Sequence, residues 1–241
     1  MATPPTGPET PGLADDSIEA VVARVSACTR CGLSATRTNA VPGDGSRSPS
    51  IMFIGEGPGS NEDQQGLPFV GRAGQLLDSL LRLIPVERSD VYITNIVKCR
   101  PPDNRDPYPE ETAACRPFLE RQIDLLRPRV IATLGRHSLN YFLPGARIGD
   151  VHGRPTRWRD IILFPLYHPA AGLRSSTLRQ TLEEDVRRLP EAILRSLSLG
   201  AGAVTTDTTA RAATPVQGAP ASDLSTGPEP GEDQDRQRRL F

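Results

Sequence analysis

Ile51-Met52-Phe53-Ile54-Gly55-Glu56-Gly57-Pro58-Gly59-Ser60-Asn61-Glu62-Asp63 is the stretch on which the fold turns. Four apolar residues run without a polar gap into a turn holding three glycines and a proline. An unbroken apolar run of this length suits a strand covered on both faces, as in a parallel sheet. The glycines leave room for a ligand to approach the backbone where a Cβ would stand in the way. Glu56, Glu62 and Asp63 place carboxylates at the carboxyl end of the strand, where open α/β sheets hold their ligands. Leu67-Pro68-Phe69-Val70-Gly71-Arg72-Ala73-Gly74 follows, then a helical pattern from Gln75 to Leu83. The turn has neither the spacing GxGxxG nor GxxxxGK[ST], so the common dinucleotide and phosphate-loop readings fail.

Outward from this unit the chain alternates. A helix is predicted from Asp16 to about Ala27, with Asp16 as N-cap and Glu19 completing a capping box. Residues 32–49 read as loop. A second strand covers Val91–Val97, and a helix runs from about Pro109 to Leu126 and contains Cys115. A third strand, Arg129–Leu134, ends at Gly135, followed by a short helix to Phe142. The region 144–160 reads as basic and irregular. A fourth strand, Ile161–Leu166, leads into Tyr167-His168-Pro169-Ala170-Ala171-Gly172-Leu173-Arg174, and a last helix runs from about Ser176 to 197. This alternation predicts a three-layer α/β/α sandwich around a four-stranded, mainly parallel sheet. Glu56, Asn95, Gly135 and His168 then share one edge of that sheet.

Three segments are expected: a disordered tail (1–15), one domain (16–198) and a disordered tail (199–241) rich in Ala, Thr, Pro and Gly. The net charge of −1 hides an uneven distribution. Residues 18–198 carry 24 bases against 20 acids, so a mildly basic body sits between acidic tails. Such a body suits a polyanion without demanding one. No apolar run is long enough to span a membrane. With no apolar leader core at the N-terminus, a cytoplasmic protein is expected.

The 4 cysteines fall in two pairs, Cys28 with Cys31 and Cys99 with Cys115. In a cytosolic chain they favour a metal over disulfides. Four thiolates suit a tetrahedral zinc or a [4Fe–4S] cluster, and spacing alone does not choose; Lys98 and Arg100 beside Cys99 would partly offset the negative charge of such a cluster.

Taken together, GEGPG with the following Glu62-Asp63, LPFVGRAGQLLD, TNIVKCRPPDNRDP, the four cysteines and HPAAGLR resemble the family 4 uracil-DNA glycosylases. These are the iron–sulfur members of the uracil-DNA glycosylase superfamily. The resemblance spans roughly residues 20–195 and implies the doubly wound sandwich already read from the pattern. It selects a [4Fe–4S] cluster on Cys28, Cys31, Cys99 and Cys115. It implies a monofunctional glycosylase that flips uracil out of DNA and hydrolyses its N-glycosidic bond, opening base excision repair.

The resemblance also assigns roles. Asn95 reads the uracil edge, Phe69 stacks on the ring, and His168 donates to uracil O2 as charge grows there. Glu56 and Gly57 open the pocket. Where better-known relatives carry a water-positioning Asp, this chain has Gly57, so Glu56, Glu62 and backbone carbonyls of the turn are the candidates for holding water, with Glu62 alternatively excluding the thymine methyl. Leu173 is the expected minor-groove wedge and Arg174 a phosphate contact, with Arg72, Lys98, Arg100, Arg105 and Arg154 as further phosphate candidates. His137 and His152 match no catalytic motif. Val97 runs straight into Lys98 without the Lys/Arg-rich insertion of covalently trapping relatives, so turnover is expected. A cluster-bearing binding protein without turnover is the alternative, opposed by the complete set Glu56, Phe69, Asn95 and His168. Gln237-Arg238-Arg239-Leu240-Phe241 resembles the peptide by which repair proteins dock on the sliding clamp, Gln237, Leu240 and Phe241 making the contacts. A monomer is expected.

Overall fold

The computed structural model of the protein describes residues 17–200. The N-terminal tail and the terminal clamp-like peptide lie outside the described residues.

Six strands form one sheet: β1 (Asp44–Gly45), β2 (Ile51–Gly55), β3 (Tyr92–Asn95), β4 (Val130–Leu134), β5 (Thr156–Trp158) and β6 (Ile161–Leu166). Their spatial order is β1-β3-β2-β4-β6-β5. The expected four parallel strands are its centre, with β3, β2, β4 and β6 paired in parallel. The edges correct the expectation. There β1 runs antiparallel to β3 and β5 antiparallel to β6, making the sheet mixed and six-stranded. Both edge strands are short and mostly polar, so they carry no apolar pattern to read. They cover backbone groups that the outer parallel strands would otherwise leave unpaired.

The central strands are apolar on both faces because both are covered. Ile51 and Phe53 pack with Leu76 and Leu80 of α3 (Arg72–Leu81), Leu182 and Val186 of α8 (Ser176–Val186), and Leu189 of α9 (Leu189–Gly200). Met52 and Ile54 point the other way, toward Ile18 of α1 (Ile18–Ser26), Leu119 and Ile123 of α4 (Pro109–Leu126), and Phe142 of α5 (Arg136–Phe142). Period-2 alternation across two covered faces yields this division.

Several boundaries move. Ser17, not Asp16, caps α1, its side chain accepting from Ala20 N at 3.1 Å. The glycine-rich turn contains a short helix, α2 (Ser60–Gln65). The basic region holds α6 (Ile148–Val151) as well as β5. The long final helix is two, broken between Val186 and Leu189, with Pro190 in the first turn of the second, where its missing N–H costs nothing. The second strand ends at Asn95. Ile96 N and Val97 N then donate to the Gly55 and Glu56 carbonyls, so the glycine-rich turn stays fastened to the chain leaving β3. From β2 the chain steps to β3 on one side and then crosses to β4 on the other. That reversal opens a crevice at the carboxyl ends of the strands.

Candidate active site

Register sets the crevice. Gly55 pairs with Asn95, so β2 and β3 end level. Leu134 pairs with Leu166, so β6 delivers His168 to the same edge, as cap of the short helix α7 (Pro169–Gly172). At Gly55 a Cβ would sit 2.5 Å from Asn95 Oδ1 and 2.7 Å from Phe69 Cζ, so only glycine lets these side chains meet. Asn95 is 1% exposed, and its Oδ1 has no hydrogen-bond partner. A buried acceptor left unpaired costs about 1–3 kcal/mol. Here it faces the space beside an aromatic ring, where a flat ligand with an N–H would satisfy it.

Phe69 is held there against its backbone preference. Its φ is 52°, in the left-handed region, at a cost of about 1–2 kcal/mol. Glu62 supports this conformation: Oε1 accepts from Val70 N at 2.9 Å and Gly71 N at 2.8 Å. This adds a structural task to the expectation for Glu62, whose Oε1 holds the loop that aims Phe69. The adjacent Asp63 is likewise structural, accepting from Thr38 N. The Phe69 ring lies 5.8 Å from that of His168, tilted by 31°.

The tautomer of His168 is fixed locally. Nδ1 accepts from Ala170 N at 3.1 Å, so the neutral ring carries its proton on Nε2. Burial pulls the imidazole down to about 4, with Glu62 opposing, so it is neutral at neutral pH. The neutral ring beside Phe69 thus carries an Nε2–H donor.

Glu56 has unexpected company. His137 Nε2 stands 3.7 Å from its Oε2 and 3.2 Å from Asp106 Oδ2. Arg136 donates to His137 Nε2 and to Asp106, both at 2.9 Å. Burial, then the Asp106 charge, pushes Glu56 up to about 7, with Arg136 pulling the other way. Burial lowers His137. Sequence reasoning passed over His137 and Asp106; the usable signal was position, since His137 follows Gly135 at the end of β4. Gly57 is hemmed in, because a Cβ there would lie 2.9 Å from Val97 Cγ2, so a water-holding side chain has no room. His152 is remote from this chemistry, with Nδ1 2.7 Å from Asp185 Oδ2.

On the rim, Leu173 is 44% exposed at the end of α7, with Arg174 exposed beside it. Arg72 and Arg154 are exposed as well. Two phosphate candidates are corrected. Lys98 is buried, and Arg105 is bound to both carboxylate oxygens of Glu111 while stacked over Tyr108.

Cys28, Cys31, Cys99 and Cys115 line one cavity with Arg37 and Lys98, and none is in a disulfide. Arg37 Nη1 donates to Cys99 Sγ at 3.0 Å. Among the described residues, no three of the four sulfurs lie within 4.8 Å of one another.

Comparison with known proteins agrees with this geometry. The profile of the Uracil DNA glycosylase superfamily matches residues 42–189. A type-4 uracil-DNA glycosylase of Sulfurisphaera tokodaii is 48% identical over 186 residues, covering 73% of this chain and 84% of the relative. Those of Thermotoga maritima and Archaeoglobus fulgidus are 46% and 42% identical, covering 72% and 73% of this chain and 93% of each relative.

Proposed function

This chain belongs to the uracil-DNA glycosylase superfamily, and from that premise we infer that it excises uracil from DNA at the crevice between β2, β3, β4 and β6. The observation that carries the reading is the orphaned, buried Asn95 Oδ1 beside the strained Phe69. A uracil flipped out of the duplex brings N3–H to that acceptor and lays its face on the ring. Cytosine has no N3–H and presents an amino donor where uracil presents O4, so the same amide rejects it.

Hydrolysis then needs a water, a place for its proton and a stabiliser for the leaving group. Glu56 takes the first two tasks. Its carboxylate orients water toward C1′ and accepts the proton as the C–O bond forms. The C1′–N1 bond breaks with its electron pair passing into the uracil ring. His168 Nε2–H donates to O2, where that charge accumulates. The products are free uracil and an abasic site; no lysine nucleophile is required. Leu173 fills the space the base leaves, and Arg174 meets the backbone.

Glu56 serves as base only when ionised, and its carboxyl is raised to about 7. Excision by the wild type should therefore rise with pH through about 7 and level off above, and Glu56→Gln should flatten that limb. A wild-type profile flat between about pH 5 and pH 9 would contradict this role.

The four cysteines fit an iron–sulfur cluster. They are soft donors around one cavity that Arg30, Arg37 and Lys98 also line. We assign Cys28, Cys31, Cys99 and Cys115 as ligands of a [4Fe–4S] cluster, which when bound would crosslink the loop after α1, the chain leaving β3 and α4. The terminal Gln237, Leu240 and Phe241 remain our proposed clamp contacts.

The direct test uses a labelled U:G oligonucleotide, with T:G as control and abasic sites read by alkaline cleavage. Cleavage with uracil alone is expected. No cleavage by the iron-loaded protein would favour binding without turnover.

A further inference from the structure

Lys98 is a buried amine for which the hydrolysis has no use, and burial pulls it down to about 7. It is 1% exposed and sits between two centres. On one side Nζ donates to the Asn95 carbonyl at 2.7 Å and to the Thr94 hydroxyl. Thr94 in turn donates to the Pro42 carbonyl at 2.8 Å. On the other side Lys98 lines the four-cysteine cavity.

Both hydrogen-bond acceptors of Nζ are neutral, and among the described residues no carboxylate is paired with it. An ammonium removed from water without a counter-ion is strongly disfavoured. Thiolates holding a cluster in the cavity would be the anion within reach, Cys115 among them. The other basic residues of the cavity, Arg30 and Arg37, are engaged elsewhere: Arg30 lies over the Phe118 ring, and the second hydrogen bond of Arg37 goes to the Ser26 carbonyl.

Position explains what Lys98 holds. Asn95 is the last residue of β3, and the Ile96 and Val97 amides tie the chain beyond it to Gly55 and Glu56. The bond from Lys98 Nζ back to the Asn95 carbonyl closes the bend that follows the strand.

We propose that Lys98 is a positioning residue linking the cysteine centre to the base-reading amide: its ammonium offsets the charge of the thiolate-held cluster while fixing the backbone of Asn95. This rests on the iron–sulfur reading of the four cysteines. Loss of Lys98 would then be felt at both centres at once, which neither a purely structural lysine nor a phosphate-binding one would produce.

The test starts with iron and sulfide analysis of the full-length wild type purified without oxygen. A wild type lacking iron would overturn the cluster reading itself, before any variant is compared. With iron present, Lys98→Met is compared for cluster content, midpoint potential and inhibition by free uracil. The expected variant keeps its iron, and its potential moves negative because a nearby positive charge is gone. Free uracil inhibits it about tenfold more weakly, the scale of one buried acceptor left unpaired. KM for DNA does not change, since Lys98 does not reach the surface. An iron-loaded variant matching wild type in potential and inhibition, or changed in only one of them, would overturn the link. Should Lys98→Met take up no iron, Lys98→Arg decides. Iron regained with the charge supports the proposal, and an equally empty arginine variant overturns it.

Discussion

Alanine in place of His168 is expected to lower kcat on a U:G duplex about 10²–10³-fold while leaving DNA binding unchanged. The argument rests on where one proton sits. Ala170 N–H occupies Nδ1, so the neutral ring must carry hydrogen on Nε2. Burial keeps the ring neutral by holding it near 4. Such a donor does little for the ground state, in which O2 is a neutral carbonyl oxygen. It gains strength as the glycosidic electrons move onto the ring, so its loss falls on kcat and not on KM. The short α7 turn presets this geometry before substrate arrives. Single-turnover excision gives the rate directly. A loss below about fivefold would remove His168 from the transition state.

Asn95→Ala should cost about 10²–10⁴ in kcat/KM for uracil. Two polar groups on the uracil edge lose their partner, and each buried group left unpaired costs about 1–3 kcal/mol. Stability should move in the opposite direction from activity, or not at all. The native Oδ1 is already unpaired, so removing it relieves a penalty in the folded protein. A side chain that is costly when the site is empty and required when it is full is the pattern of a binding residue. Thermal unfolding beside the kinetics checks this. Equal losses of stability and rate would mean that Asn95 only supports the strand end.

What the sequence disclosed follows from what local patterning encodes. The parallel centre was legible because Ile51–Ile54, Ile131–Leu134 and Ile161–Phe164 are short apolar runs bounded by turn residues. The edge strands were not, since Asp44-Gly45 pairs with β3 through backbone alone. Asn95 and His168 could be placed at one sheet edge because each closes a strand. The loop-holding task of Glu62 was not legible, because a carboxylate in a glycine-rich turn looks the same whether or not it binds backbone amides. Only the fold brings Val70 and Gly71 back onto it. The burial of Lys98 was missed for a related reason. Lysine is almost never buried, and nothing in Val97-Lys98-Cys99 announces a cavity on one side and a strand end on the other. His137 comes from the first turn of α5 and Asp106 from the loop before α4, and neither lies in a motif that names the other. Their meeting at Glu56 is a property of topology.

The most direct measurement compares single-turnover excision from one duplex carrying, at the same position opposite G, uracil, N3-methyluracil, thymine or cytosine. If Asn95 Oδ1 awaits the N3–H of uracil, abasic sites form only from uracil, and the N3-methyl group alone abolishes reaction. Excision of N3-methyluracil at the rate of uracil would contradict that reading of the orphaned acceptor, and with it the claim that this crevice recognises the base.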